Sequence, residues 1–320
     1  MEMETYKKLI VVILICLFTG ISVAEIINIP DDHETIQAGI DASEDGDTVF
    51  VQPGVYIENI VIRINITVAS LFMTTGNEEF ITETIIDGDQ NDNVVELIDV
   101  SAETSLIGFT IRNGYSDHSL GGGIYCRNSD PLLSNLLITE NQPSSDGGGL
   151  FLSGSDPILH EVWVIGNTAQ YGGGMGMDNS NPTIVNSLFT DNTASYGGLI
   201  WCVRSDPIFI NSTFFGNTND RGYEIIHGGS EKTFINCIFW DNHPVELPRN
   251  GLVVTFSDIQ GGYDGEGNID EDPQFIDPDT GDYNLNEDSP CIDTGDPETV
   301  NDPDGSRADM GGLPYSHGTW

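Results

Sequence analysis

Three columns of residues recur along the chain with one period. Residues 172–198, GGGMGMDNSNPTIVNSLFTDNTASYGG, form one line of the set. Ser-Asp-Pro or Ser-Asn-Pro ends at Pro131, Pro157, Pro182 and Pro207, in steps of 26, 25 and 25 residues. Ten residues after each proline stands an asparagine, at Asn141, Asn167, Asn192 and Asn217, and Asn242 extends the series. Glycine pairs opening at Gly121, Gly147, Gly172 and Gly197 keep the same step. Independent columns sharing one period mark a stacked repeat, whose units bury their apolar faces against one another.

Within each line the apolar residues alternate instead of recurring at helical spacing. Met175 and Met177, then Ile184, and beyond a bend Ser187 and Phe189, are expected to point inward; Leu150, Leu152, Leu159, Val162 and Val164 are their equivalents one line earlier. Short period-two runs separated by Gly, Asx-Pro and Asn corners are strands joined by turns. About three such strands per line give one turn of an all-β right-handed parallel β-helix, each coil rising ~4.8 Å above the last. The asparagine column then has a physical role: side chains stacked at a corner bond one another and the backbone, satisfying groups that the bend leaves unpaired. A leucine-rich horseshoe needs a helical half and an L-x-x-L-x-L line, and neither is present.

The same register bears on the cysteines. Cys126 and Cys202 share one inward column with Leu152 and Met177 between them, which separates them by roughly 14 Å, beyond disulfide reach. Cys237 falls in another column, with Leu136, Val162, Ser187 and Ser212, and buried free thiols are expected.

A solenoid end exposes unpaired strand edges and needs a cover. Residues 25–50 are expected to supply one, since Ile36 and Ile40 sit four apart on a short amphipathic helix before DGDTVFV opens the first strand. The coils are expected over 51–260, and an acidic capping segment over 261–320. TIQAGIDA followed by GDTVFV, TIIDGDQ, LIGFTIRNG and the GGGIYC and NPTIVNSLFTDN lines resemble the right-handed β-helix proteins of the pectin-lyase-like superfamily. The closing VTFSDIQGGYDGEGNIDEDPQFID, GDYNLNEDSPCIDTGDP and NDPDGSRADMG resemble the final segment of secreted members. The resemblance implies the fold over nearly the whole chain and leaves activity open, because that superfamily holds lyases, hydrolases, esterases, adhesins and non-catalytic repeat proteins.

Catalytic fingerprints implied by the resemblance are mostly missing. The polygalacturonase set of N-T-D, D-D, G-H-G and R-I-K blocks is absent, as is the G-x-V-D-F-I-F-G block of pectin esterases. Pectate lyases of the superfamily use Arg or Lys to take a proton beside a uronate, with Asp and Ca²⁺ neutralising the acid. Beyond residue 24 the chain has one lysine, Lys232, and seven arginines. Lys232 replaces the proline of its coil and is expected at a solvated turn. Lys232, Arg204 and Asp178 are the catalytic candidates; Arg127, Arg204 and Arg221 fall in different columns, and His227 is assigned to the inward column of Cys126 and Cys202.

Outward positions of the Gly-rich strand carry Tyr125, Phe151, Gly176, Trp201 and Ile226, one per coil, with Arg127, Ser153, Asp178 and Val203 two residues along. A row of rings beside polar groups is a platform for sugar rings, so Tyr125, Phe151, Trp201, Arg127 and Asp178 are the expected ligand contacts. The gap at Gly176 beside Asp178 is where a sugar is expected to sit. A second outward face, with Trp163, Phe215, Trp240, Leu137, Ile165 and Leu188, is expected to lie under a tail or loop.

Asp277, Asp279 and Asp282, then Asp302, Asp304 and Asp309, place carboxylates at short intervals in Gly-bearing loops, a pattern that suits Ca²⁺. Neither run has EF-hand spacing. Lys+Arg 10 against Asp+Glu 51 gives a net charge of -41; such a surface repels nucleic acid, anionic lipid and free polyuronate. Lys7 and Lys8, an apolar run from Leu9 to Phe18 and Ser22-Val23-Ala24 read as a secretory signal peptide over 1–24, too short to span a bilayer. The expectation is a secreted or cell-surface monomer that does not enter the membrane and binds a polysaccharide or cell-surface glycan without catalysis. The alternative is a polysaccharide lyase or glycoside hydrolase of the same fold. A purely structural role predicts no cleft, and the 25-residue lines hold no insertion on which to build one.

Overall fold

The computed structural model describes residues 24–315 except 116–119, 197, 223, 229–230, 246, 249 and 314. The expected leader lies outside these residues apart from Ala24, as does Gly197 of the glycine column.

Each coil of the repeat follows the line read above. In residues 172–198 a glycine corner leads to a strand at Met175–Asp178, then one at Thr183–Val185, one at Leu188–Thr190 and a fourth at Thr193–Tyr196. Stacking in parallel gives a first sheet of seven strands from Ile60–Ile62 to Ile226–His227. The second and third sheets are continuous in Leu132–Thr139 and Ile158–Ile165, which run from one to the other. The fourth strand forms a small side sheet of Thr168–Tyr171, Thr193–Tyr196 and Thr218–Asn219. The side sheet goes beyond the three strands expected, because its inward residues are Ala169, Ala194 and Asn219, too small or polar to register as an apolar alternation.

The bore is filled as the alternation required. Met175, Met177, Ile184 and Phe189 are fully buried, and Phe189, Phe214 and Phe239 stack face to face on successive coils at 5.2 and 4.3 Å. All four cysteines of the described residues are free and buried. Burial pushes the Cys202 and Cys237 thiols up to about 12, so they remain small protonated hydrophobes.

Corners carry the polar bookkeeping. The backbone N–H and side-chain amide of Asn167 both donate to Oδ1 of Asn192, each at 3.0 Å, and those of Asn192 donate to Oδ1 of Asn217 at 3.1 and 3.0 Å. Asn141 and Asn242 continue the ladder at either end. A second ladder uses the serine of each Ser-Asx-Pro: the N–H groups of Ser129, Ser155 and Ser180 donate to Oγ of Ser155, Ser180 and Ser205, all at 3.0 Å. The glycine corner is required by crowding, since a Cβ on Gly148 would stand 2.1 Å from the carbonyl oxygen of Gly173 on the next coil.

Parallel pairing reaches back to Ile26–Ile29, which lies beside Thr48–Val51. Between them helix α1 (Ile36–Ala42) covers the end of the stack with Ile36, Gly39 and Ile40 buried. Thr35 caps it through Oγ1, and the Glu58 carboxylate accepts from the N–H groups of Ile36 and Gln37 at 2.9 and 3.0 Å. Oε1 of Gln37 in turn accepts the N–H of Val61 at 2.7 Å, which occupies the edge of the first sheet.

Two features lie outside the coil repeat. Upstream of the 25-residue lines, which hold no insertion, the chain inserts helices α2 (Phe72–Thr75) and α3 (Glu79–Glu83). The acidic C-terminal segment also runs along the outside of the stack. Its hairpin, Phe275–Asp277 with Asp282–Leu285, sets Phe275 and Tyr283 around Phe215 at 5.8 and 5.3 Å. Further on, Gly311 donates to the Asn236 carbonyl and Gly312 to Thr213 Oγ1.

Replacing Asn192 by Ala removes the acceptor shared by the Asn167 N–H and side-chain amide, and the side-chain donor to Asn217 Oδ1 and the Val164 carbonyl, inside the stack. The expected loss is on the order of 3 kcal/mol, read as a lowered denaturant midpoint. Gln170→Ala, exposed on the side sheet, is expected to change it by less than about 0.5 kcal/mol.

Candidate functional site

The outer face of the first sheet carries one column per strand: Val61, Glu96, Tyr125, Phe151, Gly176, Trp201 and His227. The last position corrects the sequence reading. Ile200 pairs with Ile226 and Trp201 with His227, so Ile226 fills the bore and His227 faces out. The His227 ring stacks on Trp201 at 4.7 Å and 7°. Tyr171, from the side sheet, meets Trp201 at 4.7 Å and stacks on Tyr196 at 5.2 Å, and the Arg221 guanidinium lies 4.2 Å from the Tyr196 ring centre. Trp201, Tyr171, Tyr196 and Tyr125 are half-buried, each offering an edge or face to solvent.

Phe151 differs from the expectation. It points outward but is 4% exposed, because its ring lies over Gly176 on the next coil; a Cβ there would approach the ring to 2.7 Å. The expected gap beside Asp178 is therefore closed by Phe151. Tyr125 meets Phe151 at 6.3 Å.

The neighbouring polar column places Arg127, Ser153, Asp178 and Val203 in register. Arg204 stands one residue beyond, at a left-handed corner with φ +50, where preceding coils use Asn179, Gly154 and Asn128. Its guanidinium reaches back to Asp178 with a bidentate contact, 2.6 and 2.8 Å from Nη2. Asp178 and Arg204 are thus brought together, whereas Arg127 stands two coils from Asp178. Lys232 was expected at a solvated turn; it is instead 1% exposed at the start of Lys232–Ile235, with Nζ donating to the Gly228 carbonyl at 2.9 Å. The described residues therefore do not set these candidates as one cluster of bases around an acidic pair.

A residue the sequence reading passed over completes the face. Glu96, outward between Val61 and Tyr125, is half-buried, and burial holds its carboxyl above the usual range. The Asp92 charge adds to that rise, while Arg63 and Arg127 draw it back. The signal was the alternation in VVELI, which puts Glu96 opposite inward Val95 and Leu97.

On the far side, the second outward face divides. Phe215 and Trp240 lie against the C-terminal segment, as expected of a covered face, and Leu188 is buried. Trp163 stays 36% exposed in a cavity of ≈ 820 Å³ between the second and third sheets, α3 and residues 298–303 and 312–313. A cleft exists after all, built from the insertion and the C-terminal segment.

A family model described as the right handed beta helix region matches residues 69–260. The chain belongs to that family. No curated protein matches it in sequence. Among solved structures, a pectate lyase is similar with a TM-score of 0.46 and 13% identity over 93% of this chain and 98% of the lyase. A pectin methylesterase from carrot is similar with a TM-score of 0.36 and 13% identity over 75% of this chain and 82% of the esterase.

In this β-helix protein the acidic runs of the C-terminal segment lie mostly in its turns. Among the described residues no group of three His, Cys, Asp or Glu side chains is placed to hold a metal ion. Of the expected Ca²⁺ ligands, Asp277 and Asp279 flank or enter a 3-10 turn, and Asp282 accepts from Asn284. Asp304 caps Ser306. Asp302 accepts the Asp309 N–H at 2.9 Å, and Asp309 accepts those of Asp293 and Tyr315 at 2.7 and 2.6 Å. These carboxylates tie the C-terminal segment to itself.

Burial, then the charge of Asp309, pushes the Asp302 carboxyl up to about 7, and burial pushes Asp258 up to about 7 where the Cys291 thiol approaches at 3.3 Å. A carboxyl raised from its ordinary 3.8 on folding contributes stability below that value and loses it as the pH rises through about 7. Asp302→Asn and Asp258→Asn are each expected to flatten the decline in melting temperature across that window, measured by calorimetry against the parent. An unchanged pH profile in both would contradict the assignment.

Proposed function

We propose that this β-helix chain is an exported, monomeric module that binds a polysaccharide or cell-surface glycan along the outer face of its first sheet, without cleaving it. The observation that carries the reading is the half-exposed aromatic cluster of Trp201, Tyr171, Tyr196 and His227, continued along the sheet by Tyr125. Sugar rings present apolar C–H faces that dock on such rings, and hydroxyls that bond the charged groups beside them. Arg221 over Tyr196, Arg127 and the Asp178–Arg204 pair are among those groups. A rigid parallel sheet holds the rings in place before the ligand arrives, which lowers the ordering cost of binding. The net charge of -41 favours neutral or amine-bearing chains over polyuronates. No helix of the described residues is long and apolar enough to cross a membrane, which fits a role outside the bilayer.

Glu96 favours a second reading, glycosidic-bond cleavage. Burial on the outer face of the first sheet raises the Glu96 carboxyl, the direction a general acid requires. Reducing-end and unsaturated-product assays over a polysaccharide panel separate the readings: turnover that disappears in Glu96→Gln would replace binding with catalysis.

Binding is tested on a glycan array and by affinity electrophoresis, with and without Ca²⁺. Trp201→Ala is expected to weaken retention by roughly three- to tenfold, while Trp163→Ala on the opposite side leaves it unchanged. Absence of retention under both conditions, or equal loss in both variants, would overturn the proposal.

A further inference from the structure

The cavity beside Trp163 is independent of the first sheet and has its own chemistry. Its floor is the outer surface of the second and third sheets, with Trp163, Val185 and Ile210, and Leu313 of the C-terminal segment closes one side. At ≈ 820 Å³ it has the size of a small-molecule site, and its lining is mainly apolar. The polar lining is one-signed. Glu78 on the insertion, Glu161 on the bend between the sheets, and Glu298 and Asp302 on the C-terminal segment contribute carboxyls. None of the described lining residues is Lys, Arg or His.

We propose that this cavity binds a small organic cation with an apolar body. The 36% exposed indole of Trp163 offers an aromatic face, the preferred partner of an alkylated ammonium. Glu161 stands two residues before Trp163 at a left-handed corner with φ +55, held there by the Asn135 side-chain amide. The three glutamates stand on three separate segments, so a cation meets negative charge from several sides while its carbon skeleton leaves water. An anionic ligand of the same size is disfavoured by the same groups.

The probe is benzyltrimethylammonium, compared with its uncharged carbon isostere neopentylbenzene, by titration calorimetry on the parent protein. The cation is expected to bind at least about tenfold more tightly than the isostere and to weaken as salt rises. Trp163→Ala and Glu161→Gln are each expected to lower its affinity, the first by about tenfold, with Trp201→Ala unchanged. Equal affinity for the two probes marks an apolar cavity without cation preference and overturns the proposal. So does failure of the cation to bind, or binding that Trp163→Ala leaves intact. The comparison of probes uses the parent protein, so it stands even where a variant folds poorly.

Discussion

The coil-to-coil hydrogen bond at each corner is the interaction on which the rest of this structure depends. A strand in a parallel stack satisfies its backbone through its neighbours, but a corner turns those groups away from the ladder. Asn167, Asn192 and Asn217 close that deficit by accepting two donors from one coil and donating to the next. At a different corner the serines of Ser-Asx-Pro each accept one N–H from the serine of the preceding coil. Both sets are fully buried, where an unpaired polar group costs about 1–3 kcal/mol. Period, parallel stacking and the constancy of corner residues are therefore consequences of one requirement.

Left-handed backbone recurs at these corners and explains which residues vary there. Asn135, Asn186, Asn211 and Asn236 occupy the bend between the second and third sheets with φ between +46 and +54, a conformation asparagine tolerates better than most residues. Glu161 and Arg204 depart from that choice at φ +55 and +50, and each reaches another coil, Glu161 to Asn135 and Arg204 to Asp178. For a charged residue the left-handed conformation costs roughly 1–2 kcal/mol, partly offset by a coil-to-coil contact of the kind that Asn236 makes with Asn211 and Asn128 with Asp99.

The legible part of the fold was the part with constant period. From Pro131 to Asn242 the columns gave the bore, the free thiols and the asparagine ladder, because small steps in register leave inward and outward positions in phase. Upstream the step from Ile60 to Val95 is 35 residues and from Val95 to Ile124 is 29, so Glu96 could not be placed in a column by counting. A step of 26 between Ile200 and Ile226, against 25 in the two preceding coils, carries His227 to the outer face. Lys232 was misplaced for another reason: its backbone position follows the proline column, but its side chain folds back to a carbonyl of its own segment. Phe151 shows that an outward direction does not fix exposure, since the empty place at Gly176 let its ring lie flat on the sheet.

The same sheet surfaces meet two different fates, and the difference lies in what the chain adds outside the repeat. On the third sheet, Phe215 and Trp240 are taken up by the C-terminal segment, so their apolar area contributes to folding. On the first sheet Trp201 is sheltered by Tyr171 and His227, residues that carry polar atoms on their rings. Coverage there comes from amphipathic rings and not from Leu or Ile, which would gain more from burial if the face were structural. Where the insertion and the C-terminal segment stop short of each other, Trp163 remains half-open among carboxylates. Uncovered aromatic area on a β-helix is thus divided by chemistry: a face edged with hydroxyls and arginines on one side, and an acid-rimmed apolar cavity on the other.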